Sequence, residues 1–213
     1  KLLRIGALEQ AGRSDQADAE MDALAGSDPD ARGVLLNQAA LKLSRDHARS
    51  ASDILDRLLE SAPENPESAL LLRAEASIAL GRLDRAAQDF ATVRDAHPDS
   101  AEWLNALCWT ASTSGALLDQ ALVDCDAALA VAPDSPAILD SRGRVLLQQG
   151  DAAGALVAYD AALAKEPELP ASLYGRGLAR IALGQTEAGE ADKAAAIALD
   201  PQAATDFESY PPR

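Results

Sequence analysis

Apolar residues recur along the chain at intervals of three and four positions. Leu70, Ala74 and Ile78 form one such series, and a second series begins at Ala86 and Phe90. Because side chains three and four positions apart lie on the same side of an α-helix, each series predicts an amphipathic helix. The polar residues between them fall on the opposite side. The pattern therefore predicts a chain of helices that each bury one apolar stripe.

Prolines and glycines interrupt this pattern at a nearly constant spacing. The prolines are 34 or 35 residues apart, at Pro29, Pro63, Pro98, Pro133, Pro167 and Pro201. Glycines divide each period about halfway, with Asp46 in place of one of them, at Gly12, Gly81, Gly115, Gly150 and Gly184. Glycine is favoured just past a helix end, and proline cannot continue a helix. Each period is therefore predicted to be a helical hairpin. The helices that follow are expected to be capped by Asp99 and Ser100 and by Asp134 and Ser135.

Six such hairpins account for nearly the whole chain. By the proline register the repeats cover about 1–31, 32–66, 67–100, 101–135, 136–169 and 170–203, and a C-terminal tail or partial capping helix follows at 204–213. A single hairpin cannot bury its apolar stripe alone, so consecutive hairpins must stack on one another. Small residues such as Ala86, Ala121 and Ala155 lie where helices approach closely. The sequence thus predicts an all-α solenoid.

The repeat resembles the tetratricopeptide repeat (TPR), most closely in the fifth hairpin. The matching positions there are Leu139, Gly143, Leu146, Gly150, Ala155, Tyr159, Ala162 and Pro167. The resemblance implies a right-handed superhelical solenoid of about six TPR hairpins, the first one truncated. Gly189 and Lys193 depart from the family pattern, as expected of a terminal helix with less to pack against. The fourth hairpin has one extra residue within 115–120, so its turn should differ from the others.

A weaker resemblance concerns the segments 107–109, 124–129 and 172–177, which look like the TPR tails of bacterial transglutaminase-like proteins. It implies a regulatory or substrate-presenting appendage of a larger enzyme whose catalytic domain is not in this chain. The chain begins at Lys1, three residues into the first repeat, as expected of a truncated N-terminus. Cytoplasmic and periplasmic locations both stay open.

The TPR resemblance implies a protein-binding groove lined by the first helices of the hairpins. The candidate groove residues are Leu36, Asn37, Leu72, Glu75, Asn105, Trp109, Asp140, Arg144 and Tyr174. Asn37 and Asn105 are the first candidates because a carboxamide donates and accepts hydrogen bonds together; the alternative is a surface asparagine that bonds only water. Trp109 is either an apolar anchor or half-buried packing. Arg144 either binds a carboxylate or pairs with Asp140 four residues earlier.

Two further residue pairs have structural interpretations. Arg142 and Arg176 lie one period apart, and we expect them to bond acidic residues on second helices, such as Asp126, Asp160 and Asp192. Cys108 and Cys125 fall on facing helices of one hairpin. They are expected either to remain buried thiols or to form a disulfide in an oxidising compartment.

Composition and charge narrow the possible partners. The 213 residues include 34 acidic and 19 basic side chains, for a net charge of -15, and only 3% are aromatic. This charge excludes nucleic acid as a direct partner and favours a basic or neutral protein segment. No metal-ligand spacing, catalytic motif, cofactor motif or membrane-spanning run is recognisable. We therefore predict a non-enzymatic interaction scaffold without cofactors, with weak self-association through the tail around Phe207 and Tyr210 as a further alternative.

Overall fold

The computed structural model describes residues 4–5, 7–8, 11–27, 32–61 and 64–208, and the regular structure of these residues is helical throughout. The helices are α1 Ser14–Ser27, α2 Arg32–Leu43, α3 Ala48–Glu60, α4 Glu67–Ala79, α5 Leu83–Ala96, α6 Ala101–Ser114, α7 Leu118–Val131, α8 Pro136–Gln148, α9 Ala152–Lys165, α10 Pro170–Ala182, α11 Thr186–Leu199 and α12 Ala203–Glu208. Consecutive helices pack in pairs, which confirms the predicted all-α fold. Pro29, Pro63 and Tyr210 lie outside the described residues.

The helices form two compact units, residues 1–93 and 94–213. In unit 1 the largest apolar cluster joins α2, α3 and α4 around Ala39, Leu55 and Ala69, all of which are fully buried. In unit 2 the largest cluster is centred on Tyr159 and extends to Phe207 in α12. The buried alanines lie where helices touch, which explains why so few aromatics suffice for the core.

The turns within the hairpins have the left-handed backbone that glycine favours. The five glycines predicted to divide the repeats have φ angles between +65° and +84°. Asp46, which stands in place of a glycine, has φ of +59°, and aspartate tolerates this conformation better than most residues. In the fourth hairpin Leu117 also has a positive φ, of +57°, in addition to Gly115. The expectation that this longer turn differs from the others is confirmed.

The predicted helix caps are correct for only one of the two serines. The Ser100 side chain accepts a hydrogen bond from the backbone N–H of Trp103. The Ser135 side chain makes no such bond, and its backbone carbonyl accepts the N–H of Leu139 instead. The neighbouring Asp134 is engaged elsewhere, because its carboxylate lies 2.7 Å from Lys165 Nζ.

Glycine permits two very close helix contacts in unit 2. A Cβ at Gly189 would lie 2.6 Å from the carbonyl oxygen of Gly177, so α10 and α11 approach almost backbone to backbone. The expectation that Gly189 marks a loosely packed terminal helix is therefore wrong. The fully buried ring of Tyr159 lies against Gly143 and Gly175, where added Cβ atoms would overlap it.

Arginines on first helices connect aspartates on second helices. Arg176 on α10 lies 3.1 Å from Asp160 on α9 and 2.8 Å from Asp192 on α11, and Arg142 on α8 lies 2.7 Å from Asp126 on α7. The predicted structural role of these two arginines is confirmed. In unit 1, an equivalent arrangement joins Arg73 to Asp56 and Asp89.

A disulfide joins the two helices of the fourth hairpin. Cys108 on α6 and Cys125 on α7 are fully buried, with 5.4 Å between their Cα atoms. Of the two alternatives for these cysteines, the structure contains the cross-link. Disulfides of this kind persist mainly in proteins of oxidising compartments.

Candidate functional site

The first helices of unit 2 lie side by side, with α8 in contact with both α6 and α10. Equivalent places one period apart on these helices hold Asn105, Asp140 and Tyr174. Trp109 and Arg144 follow one turn later on α6 and α8. We call these five residues the first-helix face of unit 2.

Aromatic rings and a guanidinium group form a row along this face. The Arg144 Cζ lies 5.6 Å from the centre of the Trp109 ring and 4.4 Å from the centre of the Phe207 ring. Phe207 in turn lies 5.4 Å from Tyr174, ring centre to ring centre. These distances fit cation–π and aromatic contacts. The structure thus brings Trp109, Arg144 and Tyr174 together and adds Phe207, which the repeat pattern did not indicate as a groove residue.

The residues of the first-helix face differ widely in how much of each side chain is exposed. Trp109 is 41% exposed, an unusually high value for a ring of this size, whereas Asp140, Arg144 and Tyr174 are between 2% and 6% exposed. The expectation that these three side chains face outward is wrong. Phe207 of the C-terminal helix covers Arg144 and Tyr174, and Asp140 is buried beneath the face.

The buried end of the site is polar. The Ser172 hydroxyl donates a hydrogen bond to Asp140 Oδ1 at 2.5 Å. Burial raises the pKa of Asp140 to about 6, although the hydrogen bond from Ser172 and the charge of Arg144 both act to lower it. The nearby Tyr159 hydroxyl has no hydrogen-bond partner among the described residues, and burial raises its pKa well above the ordinary value.

Asp140 makes stability depend on pH in a defined direction. Because its pKa is higher in the folded chain, about 6 against an ordinary 3.8, the folded chain binds this proton more tightly than the unfolded chain does. The resulting stabilisation is complete below about pH 4 and is lost as pH rises through 6. We therefore expect the free energy of unfolding of the wild type, relative to Asp140→Asn, to increase by about 1 kcal/mol from pH 7 to pH 5. Urea titrations of both chains at the two pH values measure this difference, and equal pH dependence in the two chains would contradict it.

The C-terminal helix that covers the site is short. Helix α12 has six residues and contacts α10 and α11, and its residues Ala203 and Phe207 are buried. A helix this short does not form by itself in water. Its helical structure therefore depends on its contacts with the rest of unit 2.

The predicted groove residues of unit 1 have more ordinary environments. Leu36 and Leu72 are partly buried against the apolar cluster of α2, α3 and α4. The Asn37 side chain donates a hydrogen bond to the carbonyl of Gly33 on its own helix, at 2.7 Å. Burial raises the pKa of Glu75. None of these contacts tests whether the four side chains bind a ligand.

Metal clusters and membrane-spanning helices are absent from the described part of the chain. Within residues 4–5, 7–8, 11–27, 32–61 and 64–208, no group of three or more histidine, cysteine, aspartate or glutamate side chains is arranged to hold a metal ion. Among the same residues, no helix combines the length and apolar character that crossing a bilayer requires.

Sequence and structure comparisons identify the repeat. A tetratricopeptide repeat family model matches residues 42–107. The structure also aligns with a thermophilic TPR protein from Thermus thermophilus, with a TM-score of 0.64 and 20% identity over 84% of this chain and 100% of that chain. Residues 42–107 thus match the tetratricopeptide repeat, and the structure has the TPR fold. No curated protein sequence matches this chain.

Two further solved structures show the same fold. The chain aligns with a tetratricopeptide repeat protein from Parabacteroides merdae, with a TM-score of 0.62 and 17% identity over 97% of this chain and 89% of that chain. It also aligns with YrrB, described as a TPR protein with an unusual peptide-binding site, with a TM-score of 0.51 and 16% identity over 89% and 96% of the two chains. TPR proteins are generally non-enzymatic scaffolds that bind peptides or proteins. The resemblance to transglutaminase-like tails stays a prediction.

Proposed function

We propose that this chain is an interaction scaffold and that the first-helix face of unit 2 binds a segment of a partner protein. The observation that carries the proposal is the exposed indole of Trp109 beside the guanidinium group of Arg144. Tryptophan is among the side chains most often found to dominate binding energy at protein interfaces. The peptide-binding site attributed to YrrB, which shares the fold, supports peptide binding in general and not a particular face.

Asn105 is a second reason to assign partner binding to the first-helix face of unit 2. It lies one helical turn before Trp109 on α6, and its Oδ1 has no hydrogen-bond partner among the described residues. A buried acceptor without a donor costs about 1–3 kcal/mol. A partner segment that donates a backbone N–H to this oxygen, once the Asn105 side chain turns toward it, would recover the cost. Asn37 in unit 1 stays a second candidate, but its amide already bonds Gly33.

Quantitative affinity capture from the organism that encodes the chain tests the proposal. We expect Trp109→Ala combined with Asn105→Ala to reduce recovery of the bound partner at least tenfold, since an interface anchor contributes about 2 kcal/mol or more. The matched control is Val157→Ser, because Val157 is 68% exposed but lies on the second helix α9. Circular dichroism verifies that both variants keep their helical content.

Two outcomes of this capture experiment would count against the proposal. Equal recovery by the wild type and the double variant would show that the first-helix face does not carry the interaction. A loss caused by Val157→Ser alone would place the binding surface on the second helices instead.

A further inference from the structure

We propose that the first-helix face of unit 2 contains a slot for one aromatic side chain of the partner, and that Phe207 fills this slot from within the chain. The inference rests on the proposed function and adds the chemistry of the partner. It also assigns helix α12 a role as an internal competitor. Phe207 is 3% exposed, so the slot already holds a ring of the expected kind.

The walls of the slot come from three helices. The guanidinium group of Arg144 on α8 lies over one side of the Phe207 ring at 4.4 Å, and Tyr174 on α10 approaches the ring at 5.4 Å. Lys193 on α11 lies 5.7 Å from the Tyr174 ring. Arg144 also contacts the exposed Trp109. A ring in the slot therefore lies in the same row of side chains as Trp109, which is the residue that we propose the partner contacts.

The segment that provides Phe207 has the features of a displaceable ligand. Helix α12 is six residues long, follows the last hairpin, and contacts α10 and α11. Ala203 and Phe207 are buried. Because so short a helix does not persist without docking, its contacts with the rest of unit 2 hold it in place. A partner that inserts an aromatic ring from a longer segment can make contacts that α12 does not make, and these contacts favour its binding over the docking of α12.

The charged side chains near the slot indicate which residues flank the aromatic residue in the partner's sequence. Arg144 places a cation over the ring in the slot, and Lys193 places a second cation beside the Tyr174 ring that contacts it. The carboxylate of Asp140 is buried below and accepts a hydrogen bond from Ser172, and Glu190 lies 3.2 Å from Lys193. The resident ring is flanked in sequence by Asp206 and Glu208. We therefore assign to the slot a partner segment with an aromatic residue between acidic residues, although the net charge of the whole chain favours a basic or neutral partner.

A peptide with the chain's own C-terminal sequence, residues 200–213, provides the test. Fluorescence anisotropy measures binding of the labelled peptide to the 213-residue chain and to its Phe207→Ala variant. We expect the variant, whose slot lacks the resident ring, to bind the peptide at least tenfold more tightly than the wild type does. The same peptide with alanine in place of its phenylalanine should not bind either chain. The variant Val157→Ala should behave as the wild type.

Three results would overturn the slot. The first is that the peptide binds the wild type and Phe207→Ala with equal affinity. The second is that the peptide with alanine binds Phe207→Ala as tightly as the peptide with phenylalanine does. The third is that light scattering shows a wild-type dimer that is lost in Phe207→Ala. The last result would mean that α12 is exchanged between copies. If the peptide fails to bind while partner capture still depends on Trp109, the slot is wrong and the proposed function stands. If capture is independent of Trp109, the proposed function itself fails.

Discussion

Gly175→Ala is expected to lower the free energy of unfolding by about 3 kcal/mol, although alanine is the better helix former. Gly175 lies on α10, and a Cβ there would overlap three atoms of the fully buried Tyr159 ring. Neither the ring nor the helix has free space to move into, because Gly143 contacts the ring from α8. Urea unfolding followed by circular dichroism measures the loss.

Gly33→Ala is the matched control for this substitution. Gly33 also lies within a helix, α2, but a Cβ there would have no atom within 4 Å. We expect this variant to gain up to about 1 kcal/mol from helix propensity. Adding Tyr159→Phe to Gly175→Ala should restore part of the loss, since the hydroxyl is one of the overlapped atoms. A stabilising effect of Gly175→Ala would contradict the described contact of α9 with α10.

Reduction of the Cys108–Cys125 disulfide is expected to destabilise unit 2 by about 3 kcal/mol. The bond closes a short loop, since the cysteines are 17 residues apart in sequence. Opening it returns conformational entropy to the unfolded chain, which favours unfolding. Thermal unfolding with and without dithiothreitol measures the effect on the midpoint.

The control is a chain that carries Cys108→Ala and Cys125→Ala. Its unfolding midpoint should lie below that of the oxidised wild type and should not respond to dithiothreitol. If the wild type likewise fails to respond, while free-thiol labelling shows that its cysteines are reduced, the cross-link contributes nothing to stability. Free thiols in the wild type purified without reductant would contradict the disulfide itself.

Local physical rules made most of the fold predictable from the sequence. Glycine and proline fix where a helix must end, so their spacing located the hairpins, and Asp46 was recognised as a turn residue from the same register. Arg142 and Arg176 were placed correctly because a charged side chain at a helix contact requires an opposite charge nearby. The family resemblance then connected these local features into one repeating architecture.

The candidate site was predicted less completely because its key contact is not periodic. Arg144 and Phe207 are 63 positions apart in sequence, and Phe207 follows the last repeat, so the repeat register assigned it no place on the groove. Phe207 covers Arg144, so the burial of Arg144 could not be predicted from α8 alone. A signal was present, since Ala203 and Phe207 are one helical turn apart and predict an apolar stripe that requires a surface to cover.

Gly189 shows a second limit of sequence patterns. A family pattern identifies which residue is unusual, but a glycine in place of alanine is compatible both with loose packing and with very close packing. The distance between α10 and α11 decides between them, and it depends on the glycine at position 177 in the facing helix. Pairwise contacts of this kind become visible only when both helices are placed.

Site-specific photo-crosslinking tests the central claim most directly. A photoreactive phenylalanine analogue is placed at position 102, which is exposed on α6 two helical turns before Trp109, or at position 157 on α9, and each chain is irradiated with the captured partner. We expect the partner to be cross-linked from position 102 and not from position 157. Cross-linking from position 157 alone, or equally from both positions, would contradict binding through the first-helix face of unit 2.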